Sequence, residues 1–284
     1  MAKQKLDNQK KYIIVDTANT FFRARHVVAN GDLDTKIGLA LHITLNSIKK
    51  AWNDFGGDHV VFCLEGRSWR KDYYPEYKAN RKKKREDDST DWKSLFEFLD
   101  EMISDLRNYF PYKVIKVESA EADDVIAVLN KEVSVNPTLI ISSDKDFIQL
   151  QKYQGVQQWS PLTKDFVVGN PEESLWEKLI KGDAGDGVPN ILSADDTFVT
   201  EGKRQRPISK KKMEYWKNNR SEWTEDMKRN FYRNQEMVNL EHVPDSIRIN
   251  ITNQYYKQTP QRGKLMEYFT KKNLKNLMEH IGDF

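Results

Sequence analysis

The chain has 284 residues, of which 38% are hydrophobic and 31% are charged, and its formal net charge is +3. This length can bury the core of one large domain and of a smaller one. The mean hydropathy of -0.78 and the strand-length apolar runs exclude a membrane-spanning protein, so no membrane partner is expected. The single cysteine, Cys63, lies in an apolar run and cannot form an internal disulfide, which predicts a core residue and a reducing, cytoplasmic location.

Short apolar runs alternate with amphipathic helices through the first part of the chain. This succession favours right-handed βαβ units, so we expect an α/β fold with a mostly parallel twisted sheet and flanking helices. Gly56 and Gly57 are expected to end the first helix. Strands are predicted at 12–16, 60–64, 113–117, 138–142 and 156–159, the last being the final strand, and helices at 37–52, 92–106 and 121–133.

Seven carboxylates follow a strand or open a helix at positions that a parallel sheet brings to one edge. Three open a helix with an apolar face, two follow the strand at 138–142, and two follow the earlier strands. Open α/β sheets bind their ligands at the carboxyl ends of the strands, which is where these acids are expected. They are Asp16, Glu65, Glu121, Asp123, Asp124, Asp144 and Asp146.

Acids crowded at one edge would repel one another, and a bound divalent cation would neutralise them. A ligand set of oxygen atoms alone favours Mg²⁺ or Mn²⁺ over zinc. The alternative is structural: the helix macrodipole favours acids at a helix N-terminus, and Asp16 could simply cap the segment that follows it. Two acidic clusters separated by one helix and one strand favour the interpretation as a metal site.

Residues 66–90 interleave aromatic residues with cations directly after Glu65. Aromatic rings can stack on bases while Lys and Arg neutralise phosphates, which predicts a basic arch that grips a nucleic-acid strand. Lys78 and Arg81 share one helical face, whereas the run 82–85 is equally compatible with a solvated face. The predicted nucleic-acid contacts here are Arg67, Arg70, Lys71, Tyr77, Lys78, Arg81 and Lys82.

Beyond the last predicted strand, a helix at 171–180 leads into a glycine-rich turn that carries Asp183 and Asp186. Its glycines would allow these acids to return to the metal site, although the segment alone favours a plain loop. Residues 190–225 are polar with few apolar anchors, which predicts a partly mobile insertion, and two helices near 246–256 and 263–281 close the chain. The cations of the insertion either hold a duplex or form a solvated face; they are Lys203, Arg204, Arg206, Lys210, Lys211 and Lys212.

Five short motifs between residues 12 and 188 contain most of these acids and the two arch cations. They are Val15-Asp16-Thr17, Tyr77-Lys78-Ala79-Asn80-Arg81, Glu121-Ala122-Asp123-Asp124, Ser142-Ser143-Asp144-Lys145-Asp146 and Gly182-Asp183-Ala184-Gly185-Asp186. The series resembles the flap endonuclease and 5′-to-3′ exonuclease family, and is most similar to phage enzymes of the T-even ribonuclease H type. The later run Pro260-Gln261-Arg262-Gly263-Lys264 also looks like the phage subgroup. Glu65 stands where family members usually have Asp.

The resemblance implies a metal-dependent 5′-3′ exonuclease or flap endonuclease that hydrolyses phosphodiester bonds near 5′ ends and removes RNA primers during replication. Two Mg²⁺ ions, replaceable by Mn²⁺, would be held by the seven acids together with Asp183 and Asp186. Lys78 and Arg81 would lie on the arch over the active site and contact the scissile phosphate. An α/β nuclease domain is expected at 1–188, and a smaller helical, basic DNA-binding region at 189–284.

The expected substrates are DNA and RNA–DNA duplexes with 5′ ends or flaps. A replication protein such as a single-strand-binding protein is a candidate partner, and the chain is expected to be a monomer in the cytoplasm, the host cytoplasm if a phage encodes it. The alternative function is a non-catalytic protein on the same fold that binds branched or single-stranded nucleic acid. Cleavage of a labelled 5′ flap with Mg²⁺ or with EDTA separates the two.

Overall fold

The computed structural model describes residues 11–21, 33–57, 59–81, 91–133, 137–260, 263–272, 274–279 and 281–283. Lys82 and the rest of the arch up to residue 90 lie outside the described residues, as do Gln261 and Arg262. The chain divides into two units, which are described separately. Met1–Arg67, Lys93–Val168 and Val243–Phe284 form the first, and Ser68–Trp92 with Gly169–His242 forms the second. This division differs from a single boundary after residue 188, because the segment from Val243 onward groups with the N-terminal part of the chain.

A six-stranded sheet forms the centre of the first unit. Its strands are β1 (Tyr12–Asp16), β2 (His59–Cys63), β3 (Lys113–Ile115), β4 (Thr138–Ile141), β5 (Val156–Ser160) and β6 (Asp165–Phe166). The order is β3-β2-β1-β4-β5-β6, with β1 to β5 parallel and β6 antiparallel to β5. The predicted mostly parallel sheet is confirmed. The prediction that residues 156–159 form the final strand is wrong, because the chain turns back after Ser160 into a two-residue strand too short to show an apolar pattern.

Most helices lie close to the positions that the apolar periodicity predicts, with additions at Arg70–Tyr73, Lys210–Asn218 and Glu225–Val238. They are α1 (Leu33–Phe55), α2 (Arg70–Tyr73), α3 (Trp92–Tyr109), α4 (Ala122–Val128), α5 (Pro171–Lys181), α6 (Lys210–Asn218), α7 (Glu225–Val238), α8 (Asp245–Lys257), α9 (Leu265–Lys271) and α10 (Lys275–Met278). A π-helical turn, Leu129–Val133, extends α4, and 3₁₀ helices cover Lys145–Lys152, Asp195–Phe198, Arg220–Glu222 and Ile281–Asp283. Among the described residues, no helix is long and apolar enough to cross a membrane.

One face of the sheet in the first unit packs against helices from both ends of the chain. Alternate strand residues such as Val15 and Phe62 point into this core, and Cys63 is fully buried as predicted. The late helix α9 contributes Tyr268 and Phe269, which are both 0% exposed. The strands therefore end at an edge that is supported by a continuous apolar core.

The second unit has its own core, built around stacked aromatic rings. The rings of Trp176 and Trp223 lie 6.3 Å apart, Phe231 lies 5.1 Å from Trp223, and the guanidinium of Arg220 lies 4.9 Å from the ring of Trp176. Trp216 is also buried in this cluster. The expectation of a partly mobile insertion at 190–225 is therefore corrected, because a few large aromatic side chains pack this segment where aliphatic anchors are scarce.

Candidate metal centre and nucleic-acid interface

The strand register brings the predicted acids of the first unit to one edge of the sheet. Asp16 at the end of β1 pairs with Cys63 at the end of β2, and Val15 pairs with Ile141 at the end of β4. Since these strands are parallel, Glu65 follows β2 and Asp144 follows β4 at the same edge. The register therefore places Asp16, Glu65 and Asp144 at one edge of the sheet.

A chain of hydrogen bonds joins the acids that follow β1 and β4. Ser142 Oγ donates to Asp16 Oδ2 at 2.8 Å and accepts from Asp144 N at 3.1 Å, and Asp144 Oδ1 accepts from Asp146 N at 2.9 Å. Asn19 N also donates to Asp16 Oδ1 at 3.1 Å. Ser142 and Asn19 thus position the carboxylates. The sequence did not predict this role, although Ser142 lies in one of the motifs and Asn19 follows Asp16 by three residues.

The N-terminus of α4 gathers the other acids of the first unit. Ala122 N donates to Glu65 Oε2 at 3.2 Å, and Glu121 N donates to Asp124 Oδ2 at 3.0 Å within a capping box. Asp124 is therefore a helix cap, completely buried, in addition to its predicted role as a ligand. Asp123 is partly exposed on the same turn. The positive end of the helix dipole stabilises negative charge at this position.

Gly66 allows Glu65 to approach this helix. Gly66 N donates to Ala120 O at 2.8 Å, and Arg67 N donates to Glu118 O at 2.7 Å, so the two segments run side by side. A Cβ atom at Gly66 would lie 2.1 Å from Val117 O, a backbone atom that cannot move aside cheaply. Only glycine therefore lets the segment after β2 lie against the segment before α4.

The buried thiol of Cys63 is influenced by acids of both groups. Burial raises the pKa of Cys63, and the negative charges of Asp16 and Asp123 raise it further. One acid from each group therefore acts on the same thiol. Among the described residues, no three His, Cys, Asp or Glu side chains are arranged as a formed metal site. Oxygen donors alone, gathered at one sheet edge, fit a hard divalent cation by their chemistry.

The acids Asp183 and Asp186 belong to the second unit, where both are held by cations. Lys178 Nζ donates to Asp183 Oδ2 at 2.6 Å. Asp186 accepts from Tyr77 Oη at 3.0 Å, lies 3.5 Å from Lys78 Nζ and forms an ion pair with Arg81.

Burial opposes ionisation of Asp186, but the charges of Lys78 and Arg81 and the hydrogen bonds from Tyr77 and Arg81 outweigh it and lower the pKa of this carboxyl. The structure thus brings the two predicted catalytic cations together on one carboxylate.

The backbone fixes this arrangement as well. Lys78 has a φ of 57°, which is uncommon for a residue other than glycine, and its N–H donates to Asp186 O at 2.7 Å. Asn80 Nδ2 donates to Ala184 O at 3.0 Å. Gly187, with a φ of 73°, lets the turn approach closely, because a Cβ atom there would lie 3.1 Å from Glu76 O. These hydrogen bonds therefore hold the described part of the arch against the glycine-rich turn.

Two of the predicted nucleic-acid contacts are corrected by their burial. Arg70 is 1% exposed, and its Nε donates to Met237 O at 2.9 Å, so its guanidinium cannot reach a phosphate. Tyr77 is 3% exposed, so its ring cannot stack on a base. Both side chains lie in the interior of the second unit. There, the alternation of aromatic residues and cations reflects packing and not binding of a nucleic acid.

The other predicted contacts that lie among the described residues remain open to solvent to different degrees. Arg67 and Lys71 are exposed, and so are the cations of the second basic region: Lys203, Arg204, Arg206, Lys210, Lys211 and Lys212. Lys203 forms an ion pair with Asp196, and Lys212 lies over the ring of Trp216. The prediction that these residues hold a nucleic acid remains a prediction.

Two family descriptions together match almost the whole chain. "5'-3' exonuclease, N-terminal resolvase-like domain" matches residues 11–179, and "T4 RNase H, C terminal" matches residues 169–284. Ribonuclease H of Enterobacteria phage T4 is 37% identical over 270 residues, which cover 88% of each chain. Flap endonuclease Xni of Shewanella sp. strain ANA-3 is 29% identical over 160 residues, which cover 50% of this chain and 56% of Xni.

Solved structures share the fold at low sequence identity. A complex of the bacteriophage T5 flap endonuclease with DNA and metal ions is 18% identical with a TM-score of 0.63, covering 87% of this chain and 98% of that chain. The T5 5′-exonuclease with bound zinc is 17% identical with a TM-score of 0.61, covering 94% and 99%. These similarities establish the α/β architecture.

Proposed function

Because the chain belongs to the 5′-3′ exonuclease family of nucleases, we propose that it hydrolyses phosphodiester bonds near the 5′ ends of DNA or RNA–DNA duplexes, including flaps, and acts on primers during replication. One observation supports this most strongly. The hydrogen bonds through Ser142 tie Asp16 to Asp144 at the sheet edge where Glu65 meets the N-terminus of α4. Acids held near one another at a sheet edge are expected where a cation binds.

The proposed cofactor is a pair of Mg²⁺ ions, with Mn²⁺ as a substitute. Asp16, Glu65, Asp123, Asp144 and Asp146 would hold them, with Glu121 and Asp124 shaping the site from the helix cap. We also propose Asp183 and Asp186 as metal ligands, as the resemblance of the Gly182–Asp186 motif to the family implies. Bound divalent cations supply Lewis acidity and a nucleophilic water at neutral pH.

The chain's own cations would act on the reacting phosphate. Lys78 and Arg81 carry fixed positive charges, and preorganised cations stabilise the charge that develops in phosphoryl transfer. Their pairing with Asp186 holds them in position before substrate arrives. The second basic region, Lys203 to Lys212, would hold the duplex by neutralising its phosphates.

Cleavage of a 5′-labelled flap tests the proposal, on DNA and on RNA–DNA substrates. We expect cleavage with Mg²⁺ or Mn²⁺ and none with EDTA. Asp144→Asn should lower the rate by at least a thousandfold while the chain stays folded, because this residue lies at the sheet edge. Asp100→Asn is the matched control, since Asp100 is an exposed acid on α3. Near-normal cleavage by the Asp144 variant would contradict the site, and binding without any cleavage by the unaltered chain would contradict catalysis.

A further inference from the structure

A polar cavity of about 620 Å³ opens in the first unit beside the segment that follows β2. Its lining combines two cations, one acid and three side-chain amides. The residues that matter here are Arg67, Glu118, Asn250, Asn253, Gln254 and Lys257. We call this cavity the α8 groove, because four of these residues belong to α8.

The four α8 residues form one stripe along the helix. Positions 250, 253, 254 and 257 have the spacing i, i+3, i+4 and i+7, which places their side chains on one face. Buried residues of α8, Ile247, Ile251 and Tyr255, lie on another face and attach the helix to the sheet unit. The stripe runs over eight residues, a rise of about 10 Å along the helix axis. It is a polar surface mounted on a firmly packed helix.

The groove lies directly beside the carboxylate edge of the same unit. Glu65 is held against α4 by Ala122 N, and Arg67 is held two residues later by Glu118 O. Two residues of chain reach at most about 7 Å, which is about the distance between neighbouring phosphates along one strand. A strand with one phosphate at the carboxylates would therefore place its next phosphates along the stripe.

We propose that the α8 groove binds the sugar-phosphate backbone of the substrate strand about one to three nucleotides from the cleaved bond. This inference rests on the proposed nuclease function and adds residues that none of the motifs contains. Arg67 and Lys257 neutralise phosphates, while Asn250, Asn253 and Gln254 donate amide hydrogen bonds to phosphate oxygens. Amides and cations are the usual backbone contacts of nucleic-acid-binding proteins, and they carry no sequence preference.

Glu118 offsets part of the positive charge of the groove. The side-chain amides are neutral, so their hydrogen bonds to phosphate are not screened by salt. The salt dependence that arises from the groove should therefore come from its two cations. Each neutralised phosphate contributes about 0.7 to the slope of log affinity against log salt for a single strand and about 0.9 for a duplex. Loss of both cations should lower the slope by about 1.4 to 1.8.

The test compares binding of a 5′-flap substrate in Ca²⁺ by the unaltered chain and by the double variant Arg67→Ala with Lys257→Ala. Asn253→Asp is a second variant that adds a negative charge to the exposed stripe without removing any buried contact. Lys50→Ala is the matched control: this lysine is also exposed, pairs with Asp54 and lines a different cavity of the same unit. Substrates with single neutral methylphosphonates at each of the six positions around the cleaved bond locate the contact.

We expect the double variant to lower the salt slope by about 1.4 to 1.8 and Asn253→Asp to weaken binding severalfold, with no change for Lys50→Ala. A methylphosphonate about one to three nucleotides from the cleaved bond should weaken binding by the unaltered chain but not by the double variant, because both changes remove the same contact. If the double variant has an unchanged salt slope while the unaltered chain cleaves the flap, the proposed role of the α8 groove is wrong. A protein ligand for the groove is then favoured. An unaltered chain that neither binds nor cuts the flap would overturn the proposed function and the groove with it.

Discussion

Replacing Asp186 with Asn tests whether this carboxylate anchors the arch cations. Asp186 lies 3.5 Å from Lys78 Nζ, where two charges attract by about 5 kcal/mol at an effective dielectric constant of 20, before desolvation is subtracted. The Lys78 side chain is only 12% exposed, so losing its partner should cost about 2–3 kcal/mol. Arg81 is 43% exposed, and its pair should add less than about 1 kcal/mol. We therefore expect a loss of about 3 kcal/mol.

Urea unfolding in EDTA measures this loss without any contribution from metal. Tryptophan fluorescence reports mainly on the second unit, because five of the seven tryptophans belong to it and Trp176, Trp216 and Trp223 are buried in its core. Asp144→Asn is the control with the opposite expectation: its side-chain oxygen can still accept from Asp146 N, and one negative charge leaves a crowded edge. That variant should be at least as stable as the unaltered chain. If Asp186→Asn unfolds at the same urea concentration as the unaltered chain, the reasoning from these contacts is wrong.

The same pair predicts a pH dependence. The pKa of Asp186 lies below its ordinary value, so its contribution to stability is fully present above the pKa of an unfolded aspartate, about 3.9, and is lost as the pH falls through the folded pKa. The stability difference between the unaltered chain and Asp186→Asn should therefore be constant from pH 8 to about pH 5 and shrink below about pH 4. A difference that disappeared near pH 7 would point to another titrating group.

Three further predictions concern the cations. Lys78→Ala and Arg81→Ala should each lower the cleavage rate more than the affinity measured in Ca²⁺, because their proposed contacts form with the reacting phosphate; equal losses would reassign them to general binding. Arg70→Ala should lower the free energy of unfolding by about 2–4 kcal/mol with little change in the salt slope of binding, whereas Lys71→Ala, its exposed neighbour, should leave stability unchanged. Replacing Lys210–Lys212 with Ala should flatten the salt slope for duplex binding by about two to three units and leave single-strand binding almost unchanged, which salt titrations of both ligands would check.

The sheet and its acidic edge could be predicted from the sequence because each is encoded locally. Runs such as Tyr12–Asp16 and Thr138–Ile141 are apolar on both faces, and an acid directly after such a run must lie at the strand's carboxyl end. The sequence could not show that Ser142 bridges Asp16 and Asp144. That contact depends on β1 and β4 being neighbours, and many residues separate them along the chain.

Elements of the second unit were missed where polar residues are buried. Helix α7 buries Asn230, Arg233 and Asn234, and the last of these is 0% exposed, so the apolar periodicity that reveals a helix is interrupted. Asn234 Nδ2 instead donates to Leu179 O at 2.8 Å. The burial of Arg70 was not predicted for a similar reason. A cation among aromatic residues gives the same sequence pattern whether its side chain is exposed or buried.

The packing of α9 against the sheet of the first unit determines at which point of its synthesis the protein can become active. Leu265, Tyr268 and Phe269 complete the apolar core beneath the strands, yet the whole segment 169–242 is synthesised between β5 and α9. At roughly 5–20 residues per second, the ribosome needs about 5–20 s to pass from one to the other. A nascent chain still attached during that interval has its strands but lacks part of their support. The proposed nuclease activity should therefore begin only after α9 has been synthesised and has packed against the sheet.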